Sequence, residues 1–144
     1  RRGWTRPMTT VSGVEPKDLV DAARGCRDRS HVPYSKFRAG AAVACGDDIV
    51  PGVIVENVSL GLAMCAERVA LFSAVAHGRQ PEALALVAPA TSGERTWPCG
   101  ACLQVALELA GPDLPVHVGG VDPDAPISSS TVGELLPRGP KIAR

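Results

Sequence analysis

The spacing of apolar and polar positions divides the chain into alternating helical and extended stretches. Leu19, Val20, Ala23 and Cys26 recur on one helical face, and Pro16 suits a first helical turn, where an N–H has no partner; a helix is predicted from Pro16 to about Arg29. His31 to Lys36 contains Pro33 and reads as a loop. Phe37 to Ala44 (FRAGAAVA) is small and apolar, as in a strand. Gly46-Asp47-Asp48 supplies turn chemistry, and Ile49 to Val55 reads as a second strand. The two form a predicted hairpin in which Pro51, having no N–H to donate, must lie at an edge or a bulge. Leu62 to His77 is rich in Ala, Leu, Met, Glu and Arg and stops at Gly78, which predicts a helix. Ala83 to Ala88 reads as a short buried strand and Thr91 to Pro98 as a loop. Gly100 to Ala110 is a helix stopped by Gly111 and Pro112. Leu114 to Val118 is a strand, Asp122 to Ser130 a loop, and Thr131 to Leu136 a short last helix. A hairpin followed by alternating strands and helices predicts an α/β sandwich with a mixed sheet.

Length and composition narrow this picture. The chain has 144 residues, with 45% apolar and 21% charged side chains, enough for one domain with a real core. Residues 1–14 are expected to form a flexible N-terminal tail and 15–144 a single domain. Fifteen basic and 15 acidic side chains cancel, and aromatics make up only 3%. A nucleic-acid partner is disfavoured, because phosphate neutralisation needs a basic excess and single-stranded bases need stacking platforms. A small neutral or weakly charged ligand fits better. No run of 18 apolar residues predicts a membrane span, and Arg1 to Gly13 lacks the apolar core of a secretory signal.

The five cysteines, Cys26, Cys45, Cys65, Cys99 and Cys102, change the reading more. An odd count without a signal segment points to a reducing, cytoplasmic setting and away from disulfides, so metal binding is the first explanation to test. Two segments stand out: Cys65-Ala66-Glu67-Arg68 and Pro98-Cys99-Gly100-Ala101-Cys102. Each is expected at a helix start, where free N–H groups and a partial positive charge favour thiolate, the form that binds zinc. A separation of three residues puts Cys99 and Cys102 on one side of a turn. Three thiolates leave a fourth zinc position open for water, which is the catalytic rather than the structural pattern. They also leave a formal charge of −1, which two helix dipoles and Arg68 can offset. Glu67, two residues after Cys65, is near the metal without having to ligate it. A carboxylate there can carry a proton from water to a ring nitrogen and a departing amine, work that contributes roughly 10²- to 10⁴-fold in rate. Against this stand buried structural thiols, or a closed zinc with Cys26 or Cys45 as fourth ligand; Cys26 on an apolar helix face and Cys45 at a strand end read as core.

Cys-Ala-Glu placed 34 residues before Pro-Cys-x-x-Cys is far more specific than a lone Cys-x-x-Cys. With it go Val32-Pro33-Tyr34-Ser35-Lys36-Phe37, Gly40-Ala41-Ala42, Val55-Glu56-Asn57-Val58-Ser59, Gly61-Leu62, Gln104-Val105 and Gly133-Glu134-Leu135-Leu136-Pro137. In these segments, over about residues 15 to 137, the chain resembles the small, homotetrameric, three-cysteine cytidine deaminases. The resemblance implies a three-layer sandwich with about five strands and helices on both faces. It implies one Zn²⁺ per chain at Cys65, Cys99 and Cys102, with Glu67 as catalytic proton shuttle. Phe37 would line the base pocket, Glu56 would hold a ribose hydroxyl, and the Ala66 carbonyl would receive the amino group. Arg68 and Gln104 would support the ligands, and active sites would be shared between the subunits of a homotetramer. The implied reaction is hydrolytic deamination of cytidine, deoxycytidine or a related aminopyrimidine nucleoside.

The resemblance departs at four places. Ile54 stands where the family has Asn, Leu60 where it commonly has Tyr, and Leu103 where Arg is usual. Arg138-Gly139-Pro140 stand where an aromatic usually follows Leu-Leu-Pro. A lost buried hydrogen-bond partner costs about 1–3 kcal/mol. The departures therefore raise two alternatives, a deaminase of a modified or antibiotic (blasticidin-like) nucleoside and a catalytically weak nucleoside-binding homologue.

Overall fold

The computed structural model describes residues 13–141. The tail expected over residues 1–14 lies outside that range except for Gly13 and Val14. The Gly13 N–H donates to Gly46 O at 3.1 Å, and Val14 packs against the core.

Helix α1 (Pro16–Cys26) starts on Pro16, buries Leu19, Val20, Ala23 and Cys26, and continues as a 3-10 turn over Arg27–Arg29. Strands β1 (Gly40–Cys45) and β2 (Asp48–Val53) form the expected hairpin, turning at Gly46, whose φ of +63° suits glycine. After them come α2 (Ala66–Ala76), β3 (Ala83–Val87), α3 (Gly100–Ala110), β4 (Pro115–Gly119), β5 (Ser128–Thr131) and α4 (Val132–Leu135). The five strands form one mixed sheet in the order β2-β1-β3-β4-β5. Only β3 and β4 run parallel. Pro51 sits on the edge strand β2, as its missing donor requires.

Side chains that alternate along the central strands feed two cores. Ala41, Val43, Cys45, Leu84 and Leu86 point to the side of α2 and α3, among Leu71, Leu103 and Leu107. Ala42, Ala44, Ala83, Ala85 and Val87 face the opposite side, where Leu19, Val20 and Ala23 of α1 cover them. This is the three-layer arrangement, and each fully buried Leu or Val contributes roughly 1.5–3 kcal/mol relative to exposure. The strands are small-residue rich because the helices press close. A Cβ on Gly40 would lie 2.1 Å from Ala23 O, and one on Gly52 would lie 2.4 Å from Ala70 N and 2.5 Å from Ala66 O. Cys26 and Cys45 are both buried, as expected, Cys45 in the α2–α3 core and Cys26 against the backbone carbonyls of Ala23 and Gly52.

Two expectations need correction. The helix predicted from Leu62 begins at Ala66: Leu60–Leu62 is a 3-10 turn, and Met64 is extended because it pairs with Val55. The loop predicted over Asp122 to Ser130 ends in strand β5, antiparallel to β4, with His117 opposite Ser129. Its Ser-Ser-Ser-Thr sequence has no apolar alternation to announce it; backbone pairing with β4 makes the strand.

Candidate metal centre

Cys65 and Cys99 each occupy the N-cap of a helix, α2 and α3 respectively, in extended backbone conformation. Their carbonyls accept the first helical bonds, from Val69 N at 3.1 Å and Leu103 N at 3.0 Å. Their thiols stand where a Ser or Asp oxygen would normally cap, beside unpaired N–H groups and the positive ends of two helix dipoles. Cys102, in the first turn of α3, is buried, Cys65 is half-buried and Cys99 is exposed.

The three sulfurs converge. Cys65 Sγ lies 3.9 Å from Cys99 Sγ, Cys99 Sγ lies 3.6 Å from Cys102 Sγ, and all three lie within 4.8 Å of one another. Tetrahedral zinc with Zn–S bonds of about 2.3 Å requires S–S edges of about 3.8 Å, so the triangle fits that ion. Cys26 and Cys45 are buried elsewhere, and no fourth Cys, His, Asp or Glu joins the cluster among the described residues. That geometry matches the open, catalytic arrangement rather than a closed structural site.

The electrostatics favour negative sulfur. The Cys65 thiol is drawn down to about 5, chiefly by a hydrogen bond from the Cys102 thiol and then by Arg68, against its partial burial. The Cys102 thiol is correspondingly pushed up, by donating to Cys65 and by burial. Arg68 donates through Nη2 to Cys65 Sγ at 3.4 Å, and that bond raises its own pKa. Its position beside the thiolates offsets part of the negative charge that three sulfurs would leave on a divalent ion.

Glu67 is 5% exposed, in the first turn of α2 between Ala66 and Arg68. Burial pushes its carboxyl up to about 7, opposed by its own backbone N–H and reinforced by the charge on Cys65. A carboxyl in that range can both take and give a proton near neutral pH. Ala66 is buried beside it.

The 31–37 loop is tied to the segment that leads into Cys65. The Glu56 N–H donates to His31 O at 2.8 Å and the His31 N–H to Ile54 O at 3.0 Å, while Val55 and Met64 exchange bonds of 3.0 and 2.9 Å. This short zipper ties Glu56 to the residue before Cys65. Glu56 Oε1 accepts from Tyr34 N at 3.1 Å and Ser35 N at 3.2 Å. The Ser35 hydroxyl, and after it these N–H groups, hold the Glu56 carboxyl below its ordinary range. Phe37, Ile54 and Trp97 each pack against the α2–α3 core. Sequence reasoning did not single out His31 or Met64: both act through backbone atoms, which leave no side-chain signature. Gln104 is placed differently from its expected support of the ligands. Its side-chain N–H donates to Pro140 O at 2.9 Å.

Residues 15–118 match the family model for the cytidine and deoxycytidylate deaminase zinc-binding region. The chain is 42% identical over 120 residues to a cytidine deaminase of Halalkalibacterium halodurans, a match covering 83% of this chain and 89% of that protein. It is 40% identical over 126 residues to one of Sporosarcina psychrophila, covering 86% of this chain and 90% of that one. The crystal structure of cytidine deaminase from Burkholderia pseudomallei superposes with a TM-score of 0.77 at 41% identity, covering 86% of this chain and 98% of that one.

Proposed function

The chain belongs to the cytidine deaminase family, and from that membership we propose that it hydrolyses cytidine or deoxycytidine, or a closely related aminopyrimidine nucleoside, to the uridine-type product and ammonia. The observation that carries this reading is the convergence of three thiols at two helix starts with one buried carboxyl, Glu67, between them. Cys65, Cys99 and Cys102 would hold one Zn²⁺, which when bound supplies a Lewis acid that makes water a nucleophile at neutral pH. Glu67 takes one proton from the attacking water and gives it to the ring nitrogen, where it stays; it then takes the proton of the new hydroxyl and gives it to the leaving amine as the C–N bond breaks and the C=O bond forms. The Ala66 carbonyl, expected to receive the amino group, instead lies inside α2 against Gly52 of β2, so that role is not part of the proposal. Phe37 bounds the base. Glu56, kept ionised by Ser35 and Tyr34, retains acceptor capacity for a sugar hydroxyl. Arg68 steadies the charge on Cys65.

A homotetramer with shared sites belongs to the same proposal. Val58 (80% exposed), Leu60 (84%) and Leu62 (67%) flank the metal-site segment, with Phe72 and Val75 exposed on α2. Such apolar exposure suits subunit burial. No helix among the described residues is long and apolar enough to cross a membrane. Five free thiols, three needed as metal ligands, suit a reducing compartment such as the cytoplasm.

Ammonia release from a panel of aminopyrimidine nucleosides, measured on protein whose zinc content has been determined, tests the reading. One zinc per chain and saturable turnover of cytidine or deoxycytidine are expected. Zinc-loaded protein that turns over modified nucleosides but not these two would favour the alternative raised by Ile54 and Leu60, and release from none would leave a binder.

A further inference from the structure

Among the described residues, only Lys36 (φ +62°) and Ser92 (φ +53°) hold left-handed backbone without being glycine. Ser92 sits in the tight turn between Thr91 and Glu94, whose N–H and C=O groups exchange bonds of 2.9 Å, and such turns call for that conformation. Lys36 has no hairpin to require it. It ends a single helical turn, closed by its own N–H on Val32 O at 3.1 Å. Left-handed backbone after a helical turn usually falls to Gly or Asn, because a Cβ there crowds the carbonyl. The Lys36 side chain offsets part of that cost by folding back: Nζ donates to Pro33 O at 3.0 Å.

Two features of the proposed pocket flank this residue. Before it, the Tyr34 and Ser35 N–H groups both donate to Glu56 Oε1, at 3.1 and 3.2 Å. Their bonds fill the lone pairs of that oxygen, so Oε2 is the oxygen with capacity for a sugar hydroxyl. After it, the Phe37 N–H donates to Ser35 Oγ at 3.0 Å and the ring packs against the α2–α3 core. Ordinary extended or helical backbone at 36 would redirect the chain between Ser35 and Phe37. Packing anchors Phe37, so the displacement falls on Tyr34 and Ser35, which are exposed.

We propose that Lys36 is a positioning residue for the sugar: its left-handed turn holds the Tyr34 and Ser35 N–H groups on Glu56 and so sets the carboxylate oxygen that accepts a ring hydroxyl of a nucleoside. The backbone conformation does this, and the ammonium group serves only to support it. The sugar role rests on the proposed nucleoside substrate, whereas the coupling of Lys36 to Glu56 does not.

Three substitutions at this exposed position grade the conformation. Lys36→Gly keeps it without the ammonium, Lys36→Ala disfavours it, and Lys36→Val, being β-branched, disfavours it most. Three quantities are read on the zinc-loaded full chain: kcat and KM for cytidine, the inhibition constant of 2′,3′-dideoxycytidine, which lacks the ring hydroxyls, and amide exchange at Tyr34 and Ser35 by NMR. Lys36→Val should raise KM for cytidine about 3- to 10-fold, the loss expected of one hydrogen bond, with kcat little changed. Lys36→Ala should fall between, and Lys36→Gly should bring KM back to within about 2-fold of the wild type. The dideoxycytidine constant should not move. In a Glu56→Ala background the Lys36→Val penalty should disappear. Exchange at Tyr34 and Ser35 should speed up in Lys36→Val and in Glu56→Ala alike. An equal loss in Lys36→Gly and Lys36→Val would assign the effect to the ammonium and overturn the proposal. So would a matching rise in the dideoxycytidine constant, a penalty that persists without Glu56, or amide exchange unchanged in Lys36→Val. If the wild type does not turn over cytidine, the functional reading fails and takes the sugar role with it, whereas amide exchange still decides whether Lys36 holds Glu56.

Discussion

Glu67 is a carboxylate in a position where a carboxylate is expensive. It is 5% exposed, it has thiols as neighbours, and burial opposes its ionisation. In the proposed reaction this group carries the protons, and Glu67→Gln separates chemistry from scaffolding. The amide has nearly the same shape and carries no charge to desolvate. The variant should keep one zinc per chain and its thermal stability, while turnover falls by at least roughly 10²- to 10⁴-fold. Parallel metal analysis, thermal melts and ammonia assays check this; loss of zinc with activity would make Glu67 a ligand. Arg68 gives a complementary prediction. Its guanidinium bonds Cys65, so Arg68→Ala should weaken zinc retention by about 10-fold or more, read by competition with a chromogenic chelator. Both residues stand out in the sequence because they follow a helix-start cysteine by two and three places, and their roles belong to the proposal. Gln104 could not be placed that way. Its contact with Pro140 spans 36 residues, and no local pattern predicts such a partner.

At the level of elements, the site depends on two helix starts held against the sheet. For α2 the contact is as close as backbone allows, since a Cβ on Gly52 would lie 2.4 Å from Ala70 N and 2.5 Å from Ala66 O. These are helix backbone atoms that cannot swing aside as a side chain can. Gly52→Ala should therefore tilt α2 off β2 and cost about 1–3 kcal/mol, as overpacking does. Because Cys65 caps that helix, zinc affinity should fall with it. Urea unfolding of zinc-loaded and chelator-treated protein checks both effects; unchanged stability would mean the helix has room to move. The helices and strands that carry the site were legible because their apolar positions repeat with helical or extended period. The start of α2 was not, since Leu60 and Leu62 continue the apolar run while Val55 claims Met64 as a strand partner. Strand β5 was illegible for the opposite reason: its Ser-rich sequence carries no apolar period, and only the neighbouring β4 makes it a strand.

For the whole molecule, the remaining question is what covers the apolar surface beside the site. Val58, Leu60 and Leu62 lie in the segment that joins Glu56 to Cys65, so whatever buries them also bears on the positions of the two residues proposed to hold substrate and metal. A chain of this size leaves many single apolar side chains exposed, but three within five residues, with Phe72 and Val75 on the following helix, form more than scattered exposure. Subunit contact through this segment would tie assembly to catalysis, with dissociated chains losing a site wall as well as an interface. Light scattering should give four times the mass of one chain at micromolar concentration. Leu60→Asp combined with Leu62→Asp should shift the mass downward while zinc stays bound, because Cys65, Cys99 and Cys102 all come from one chain. Specific activity should fall in step with the tetramer fraction across a dilution series, as mass action requires. A variant that stays monomeric at full specific activity would show that each chain completes its own site, and the shared-site part of the proposal would be withdrawn.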